Sequence, residues 1–131
     1  MKEILFRGRS IKNRSWVYGY VEIVTFPLDP NRAVMHHFCD WGLNGEEEVD
    51  IETIGQWTGE VDKAKNKVFE NDILEMDSWS PKLVAVGFVE GAFCLVNKDG
   101  EYVGDLHYIH HADRPQATVV GNLTDDTRLL N

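Results

Sequence analysis

Turn-forming residues divide this chain into short runs rich in β-branched and aromatic side chains, at a spacing of about eight to twelve residues. Residues 16–26 read W-V-Y-G-Y-V-E-I-V-T-F, a composition typical of a strand. Glu90-Gly91 and the run 97–100, N-K-D-G, are strong turn signals. Helical periodicity is nearly absent. The pattern therefore predicts an all-β fold with little helix.

The first strands form a predicted antiparallel hairpin. Ile4 and Phe6 alternate with charged neighbours, as in a half-buried strand. Polar residues 10–15 form the turn, and the second strand ends at the proline-containing stretch 27–31.

The middle of the chain gives weaker signals. A short strand is predicted over 33–41 and an acidic loop over 42–48. Residues 49–58 alternate as one strand with a slip at Ile54 that indicates a bulge, where Gly55 and Gly59 supply permissive dihedral angles.

The second half is predicted to contain further strands separated by turns. A polar turn over 60–67 precedes strands over 68–76, 83–89, 92–96 and 117–123, a loop over 78–82, and a tail, 125–130, with a single helical turn.

Residues 55–74 read G-Q-W-T-G-E-V-D-K-A-K-N-K-V-F-E-N-D-I-L, and this stretch resembles the signature of the YopX family. The opening F-R-G-R…N-R-S-W-V-Y-G and the closing V-V-G-N are also similar to that family. Asn66 and Asn71 occupy places where the family usually has glycine, and asparagine tolerates the left-handed region that such turns need. The structural signature comprises Gly55, Gln56, Trp57, Thr58, Gly59, Phe69, Glu70 and Asp72, and of these Gly55, Trp57, Gly59, Phe69 and Asp72 are expected to form a structural hub.

The resemblance implies a phage or prophage context without an activity, because the family has no settled biochemical function. It also implies an N-terminal β lobe over 1–59, with a variable insertion at 27–48, and an SH3-like barrel over 60–131. The two lobes could also share one core.

Charge restricts the classes of partner. The net charge is -9 and the isoelectric point is about 4.9, so a general nucleic-acid surface is not expected. A local basic cluster near the N-terminus is interpreted as a solvated hairpin tip, with an acidic partner as the alternative; it comprises Lys2, Arg7, Arg9, Lys12 and Arg14.

Location in the cell follows from the same composition. No apolar run reaches the ~20 residues of a membrane span, and charges interrupt the N-terminal stretch as a signal peptide. Cys39 and Cys94 do not make a disulfide framework. A cytoplasmic protein with reduced thiols and no membrane partner is predicted.

Two histidine clusters are the candidate metal ligands: His36 and His37 near Cys39, and His107, His110 and His111. Helical geometry over 107–111 would put His107 and His111 on one face at i, i+4, and an extended strand would also align them. Neither spacing is a known metal signature, so surface histidines and no cofactor are the favoured interpretation.

Carboxylates surround the signature segment, and a pair of them could act as acid and base. Their abundance favours structural roles; Asp72 in particular could accept backbone N–H groups at a turn. Trp57 is interpreted as a core anchor, with an exposed contact as the alternative. No catalytic residue is predicted.

The leading hypothesis is a non-enzymatic interaction module that self-associates and contacts an unknown phage or host protein. The alternatives are a nucleic-acid-binding SH3-like module and a metal-dependent hydrolase built on the histidine clusters.

Overall fold

The computed structural model describes residues 3–26, 29–38, 44–111 and 114–130. Strands account for most of these residues, and the helical segments are three short 3-10 turns. The predicted all-β class with little helix is confirmed.

The chain divides into two compact units, Met1–Trp57 and Thr58–Asn131. The first unit contains β1 Phe6–Arg9, β2 Trp16–Phe26, β3 Asp29–Phe38, β4 Asn44–Val49, a 3-10 helix Ile51–Thr53 and the beginning of β5 Gly55–Val61. The second contains the end of β5, then β6 Lys67–Phe69, β7 Asp72–Met76, β8 Leu83–Val89, β9 Ala92–Val96, β10 Tyr102–Asp105, a 3-10 helix Leu106–Ile109, β11 His110–His111, β12 Arg114–Pro115, β13 Ala117–Asn122 and a 3-10 helix Thr127–Leu130.

The first unit is an antiparallel sheet in the order β4-β3-β2-β1, with β5 beside β1. The predicted hairpin is present, since Arg7 pairs with Tyr18 and Arg9 with Trp16. Val17 lies in the core of this unit with Ala33, Met35 and Val49, and Val21 packs against it. Tyr18, Tyr20 and Glu22 alternate with these residues on β2 and consequently face away from that core.

The second unit contains an antiparallel sheet in the order β10-β9-β8-β7-β13. Its main core cluster comprises Val68, Leu74, Met76, Val84, Val86, Leu95, Ile109 and Ala117. The sheet is open: Lys63 N–H donates to Ala117 O at 3.0 Å, and Val119 N–H donates to the Asp62 side chain. Asp62 and Lys63 therefore occupy the outer edge of β13. In the described residues β13 does not pair with β10, as it would in a closed barrel.

The prediction of an acidic loop over 42–48 was wrong for the described part of that range. Residues from Asn44 form β4, which pairs with β3 from His37 back to Ala33. Arg32 Nε lies 2.8 Å from Glu48 Oε2, and Val49 is buried opposite Ala33. Pairing with a distant strand therefore orders a segment whose local composition is typical of a loop.

The single bulged strand predicted over 49–58 was also wrong. β4 ends at Val49, and Asp50 caps the following 3-10 helix by accepting the Glu52 N–H at 3.1 Å. The Thr53 hydroxyl donates to Asp50 O and accepts the Arg9 N–H. These side-chain hydrogen bonds favour a helical turn over a continuous strand.

Four glycine and asparagine predictions can be compared with the backbone. Asn71 has φ 74° and Gly59 has φ 93°, as expected, but Gly55 is outside the left-handed region. In the 62–66 turn the left-handed residue is Lys65, at φ 69°, and not Asn66. Asn66 instead donates hydrogen bonds to Asp62.

Candidate functional site

Three residues of the signature segment, Thr58, Phe69 and Asp72, make hydrogen bonds within the second unit. The buried Thr58 hydroxyl donates to Val68 O at 2.7 Å, which ties β5 to β6. In the β6–β7 hairpin, the Phe69 N–H donates to Asp72 Oδ2 at 2.8 Å, and both residues are buried. Among the other signature residues, Gln56, Trp57, Gly59 and Glu70 lie between buried and exposed, and Gly55 is buried.

Trp57 is only partly buried, and its backbone N–H donates to Leu5 O at 2.7 Å. The interpretation of Trp57 as a core anchor stays a prediction.

Asp62 is the buried polar centre of this region, which the sequence did not distinguish from the surrounding carboxylates. Its side chain accepts hydrogen bonds from the backbone of Ala64, Asn66 and Val119 at 2.8–2.9 Å, and from Asn66 Nδ2 at 3.3 Å. Burial raises the pKa of the Asp62 carboxyl, but these hydrogen bonds together lower it below the ordinary value of 3.8. Backbone donors therefore satisfy this buried carboxylate and favour its ionised form.

The first histidine cluster is split by its strand. His36 Nε2 lies 3.0 Å from Glu22 Oε1, and His36 Nδ1 lies 3.7 Å from Glu46 Oε1. Consecutive residues of a strand point to opposite faces, so the His37 side chain is directed away from that of His36. His37 lines a shallow cleft with Glu47. Cys39 lies outside the described residues.

The second cluster is neither one helix nor one strand, so both predicted geometries for 107–111 were wrong. His107 belongs to a 3-10 helix, and His110 and His111 form β11. His110 Nε2 lies 2.9 Å from Glu60 Oε2, whereas His107 Nδ1 lies 3.8 Å from Asp105 Oδ2. Among the residues that the structure describes, no three His, Cys, Asp or Glu side chains are placed to hold a metal ion.

A more promising feature is the outward side of the first unit's sheet, here called the β2 face. It consists of Trp16, Tyr18, Tyr20 and Glu22 on β2 with their cross-strand neighbours Arg9, His36 and Glu46, while Arg7, opposite Tyr18, is buried. The Arg7 and Arg9 guanidinium carbons lie 4.6 and 4.4 Å from the centre of the Trp16 ring. Tyr18 and Tyr20 are 47% and 54% exposed, which is unusual for adjacent aromatic positions on one face.

The second unit has an open cleft of about 450 Å³ beside the β8–β9 hairpin and β10. Val89, Ala92 and Phe93 form apolar walls, and Tyr102 and Asp105 bring polar groups to it. We call it the β9–β10 cleft.

The described helices include none long and apolar enough to cross a membrane. The fold and the two surfaces thus define a small all-β protein with an exposed aromatic sheet face.

The model of the YopX protein family matches residues 5–131, so this chain belongs to the YopX family. The resemblance found in the signature segment is confirmed. The crystal structure of protein EF1440 from Enterococcus faecalis is similar, with a TM-score of 0.60 and 18% identity over 100% of both chains. At that identity the similarity shows a shared fold alone. No curated protein matches the chain.

The β2 face was missed as a site by the sequence reasoning, which treated 16–26 only as a strand. The alternation of Trp16, Tyr18 and Tyr20 with buried Val17 and Gly19 was the available signal, because alternate residues of a strand share a face and the three aromatic residues lie opposite the buried ones.

Proposed function

We propose that this YopX-family protein is a non-enzymatic interaction module of phage or prophage origin that acts in the bacterial cytoplasm and self-associates through the β2 face. A phage or host protein would be bound by the resulting oligomer. The observation that carries the proposal is the order of side chains across the β2 face, from Arg9 on β1 through the aromatic residues of β2 to Glu22.

The aromatic centre of the face provides the apolar contact. Tyr18 and Tyr20 are about half exposed, and tyrosine is enriched at protein interfaces because its ring buries apolar area while its hydroxyl stays hydrogen-bonded. Each carries few rotatable bonds, so ordering it costs little entropy. This pair therefore supplies suitable anchors at the middle of the face.

The charges make the face self-complementary. Arg9 lies over Trp16 at one end of the row, and Glu22 and Glu46 flank His36 at the other. A two-fold axis between Tyr18 and Tyr20 would place the basic end of one copy opposite the acidic end of the second. A single chain that carries both ends of such a pair favours a second copy as the occupant.

The alternatives draw less support. Residues 60–131 contain seven Lys or Arg against thirteen Asp or Glu, which opposes binding to phosphates. A metal-dependent hydrolase would need converging ligands, and His36 and His110 each contact glutamates of separate sites in the described part of the chain.

Native mass spectrometry and light scattering over a concentration series of about 1–100 µM test the proposal. We expect a closed dimer for the wild type. Tyr20→Ser removes an anchor and Glu22→Arg reverses the acidic end, and each should weaken the dimer roughly tenfold or more. Increasing salt should weaken it as well, because the end contacts are solvent-exposed charges.

Glu52→Arg is the matched control, since Glu52 is an exposed residue of the 3-10 helix Ile51–Thr53 and not of the β2 face. It should dimerise as the wild type does. A wild-type protein that stays monomeric throughout, or equal weakening by Glu22→Arg and Glu52→Arg, would refute the β2-face contact.

A further inference from the structure

The β9–β10 cleft combines apolar walls with an anionic end. Phe93 and the ring of Tyr102 border the space together with Val89 and Ala92. Its volume of about 450 Å³ lies in the range of sites that hold small ligands or single side chains. Phe88 packs edge-on against Phe93, with ring centres 5.1 Å apart, which supports the aromatic wall.

The two oxygens of the Asp105 carboxylate differ in their contacts. The Tyr102 hydroxyl donates to Asp105 Oδ1 at 2.5 Å, which fixes the carboxylate. In the described residues, the basic side chain recorded beside Oδ2 is His107, whose Nδ1 lies 3.8 Å away, beyond hydrogen-bond distance. Asp105 makes no side-chain cap to the helix that follows it, so Oδ2 is available to an incoming donor.

The remaining charge at the cleft has the same sign. Glu90, at the turn of the β8–β9 hairpin, lines the rim, and the lining contains no Lys or Arg among the residues that the structure describes. The net charge of -9 further favours the approach of a cation. Cys94 lies at the buried base, where burial raises the pKa of its thiol, so the thiol stays neutral.

We propose that the β9–β10 cleft binds a basic side chain, lysine or arginine, of a partner protein. The aliphatic stem packs on Phe93 and Ala92, and the cation meets Asp105 Oδ2, with Glu90 at the rim. The face of Tyr102 adds a cation–π contact, which stabilises cations near aromatic rings. This site belongs to the second unit and does not depend on self-association through the β2 face.

Nuclear magnetic resonance titration of the ¹⁵N-labelled full chain tests the proposal, with Nα-acetyl-arginine N-methylamide as the probe. The citrulline analogue has nearly the same shape without the charge and serves as the matched ligand. We expect the arginine probe to shift the amides of Ala92, Cys94 and Asp105 with a dissociation constant on the order of millimolar, as suits a single exposed side chain. The citrulline probe should cause no saturable shifts there.

Asp105→Asn should weaken binding roughly tenfold, because it removes the charge-assisted hydrogen bond without changing shape. Asp99→Asn removes the same charge in the β9–β10 turn, outside the cleft lining, and should bind as the wild type does. Equal shifts with citrulline, shifts scattered outside the cleft, or unchanged binding by Asp105→Asn would each overturn the proposal.

Discussion

Asp62 Oδ2 accepts the backbone N–H of Val119 at 2.9 Å, so a carboxylate of the turn after β5 holds the edge of β13. Asp62 is fully buried, and every hydrogen bond that it accepts comes from a backbone or amide N–H. One short side chain therefore organises both its own turn and a strand 57 residues further along the chain.

Asp62→Ala should lower the free energy of unfolding by about 3 kcal/mol, because several buried N–H donors lose their acceptor. Chemical denaturation followed by fluorescence measures the loss. Asp99→Ala is the control, since Asp99 is exposed, and should change the stability by less than about 0.5 kcal/mol. Similar losses in both variants would contradict the central role of Asp62.

The contribution of Asp62 should also depend on pH. Its pKa in the folded protein lies below the ordinary 3.8, so its stabilisation is fully present above that value and is lost as the pH falls through the folded pKa. The stability difference between wild type and Asp62→Ala should consequently be largest near neutral pH and shrink below about pH 3.8. Denaturation curves at a series of pH values check this, and a difference that stays constant into acid would contradict it.

Gly19→Ala should destabilise the first unit strongly. A Cβ at Gly19 would lie 2.1 Å from His36 O, a backbone atom that cannot move unless β2 and β3 separate. We expect a loss of about 2 kcal/mol or more, measured by thermal unfolding. At Gly100 an added Cβ meets nothing within 4 Å, although its φ is 78°, so Gly100→Ala should cost only the backbone strain of about 1 kcal/mol. An equal effect of the two substitutions would argue against the close strand approach.

Local chemistry explains what could be predicted from the sequence. Glu90-Gly91 forms the expected hairpin turn with φ of 51° and 83°, and Asn71 takes the left-handed conformation that its side chain tolerates. In each case the information lies within a few residues. The aromatic and β-branched composition of 16–26 likewise placed β2 correctly.

Contacts between distant residues explain what could not. Residues 46–48 are three consecutive glutamates and resemble a solvated loop, yet they belong to β4 and pair with β3. Asp62 is one of 22 acidic residues, and nothing near it marks the one that reaches Val119. The β2 face depends on which side of the first unit's sheet the core covers. The β9–β10 cleft depends on an irregularity in β10 that accompanies the contact between Tyr102 and Asp105.

The pKa of Tyr102 should be abnormal because of its hydrogen bond to Asp105. Its hydroxyl donates to the Asp105 carboxylate, which raises the pKa of Tyr102 to about 12, since losing the proton would break the hydrogen bond and place two negative charges together. In Asp105→Asn the pKa of Tyr102 should fall toward the ordinary value of 10.0. Nuclear magnetic resonance of the tyrosine ring carbons resolves it from the other tyrosines, and Asp99→Asn should leave it high. A Tyr102 pKa near its ordinary value in the wild type would show that the hydroxyl does not hold Asp105 in solution, and the preorganised carboxylate of the β9–β10 cleft would be lost with it.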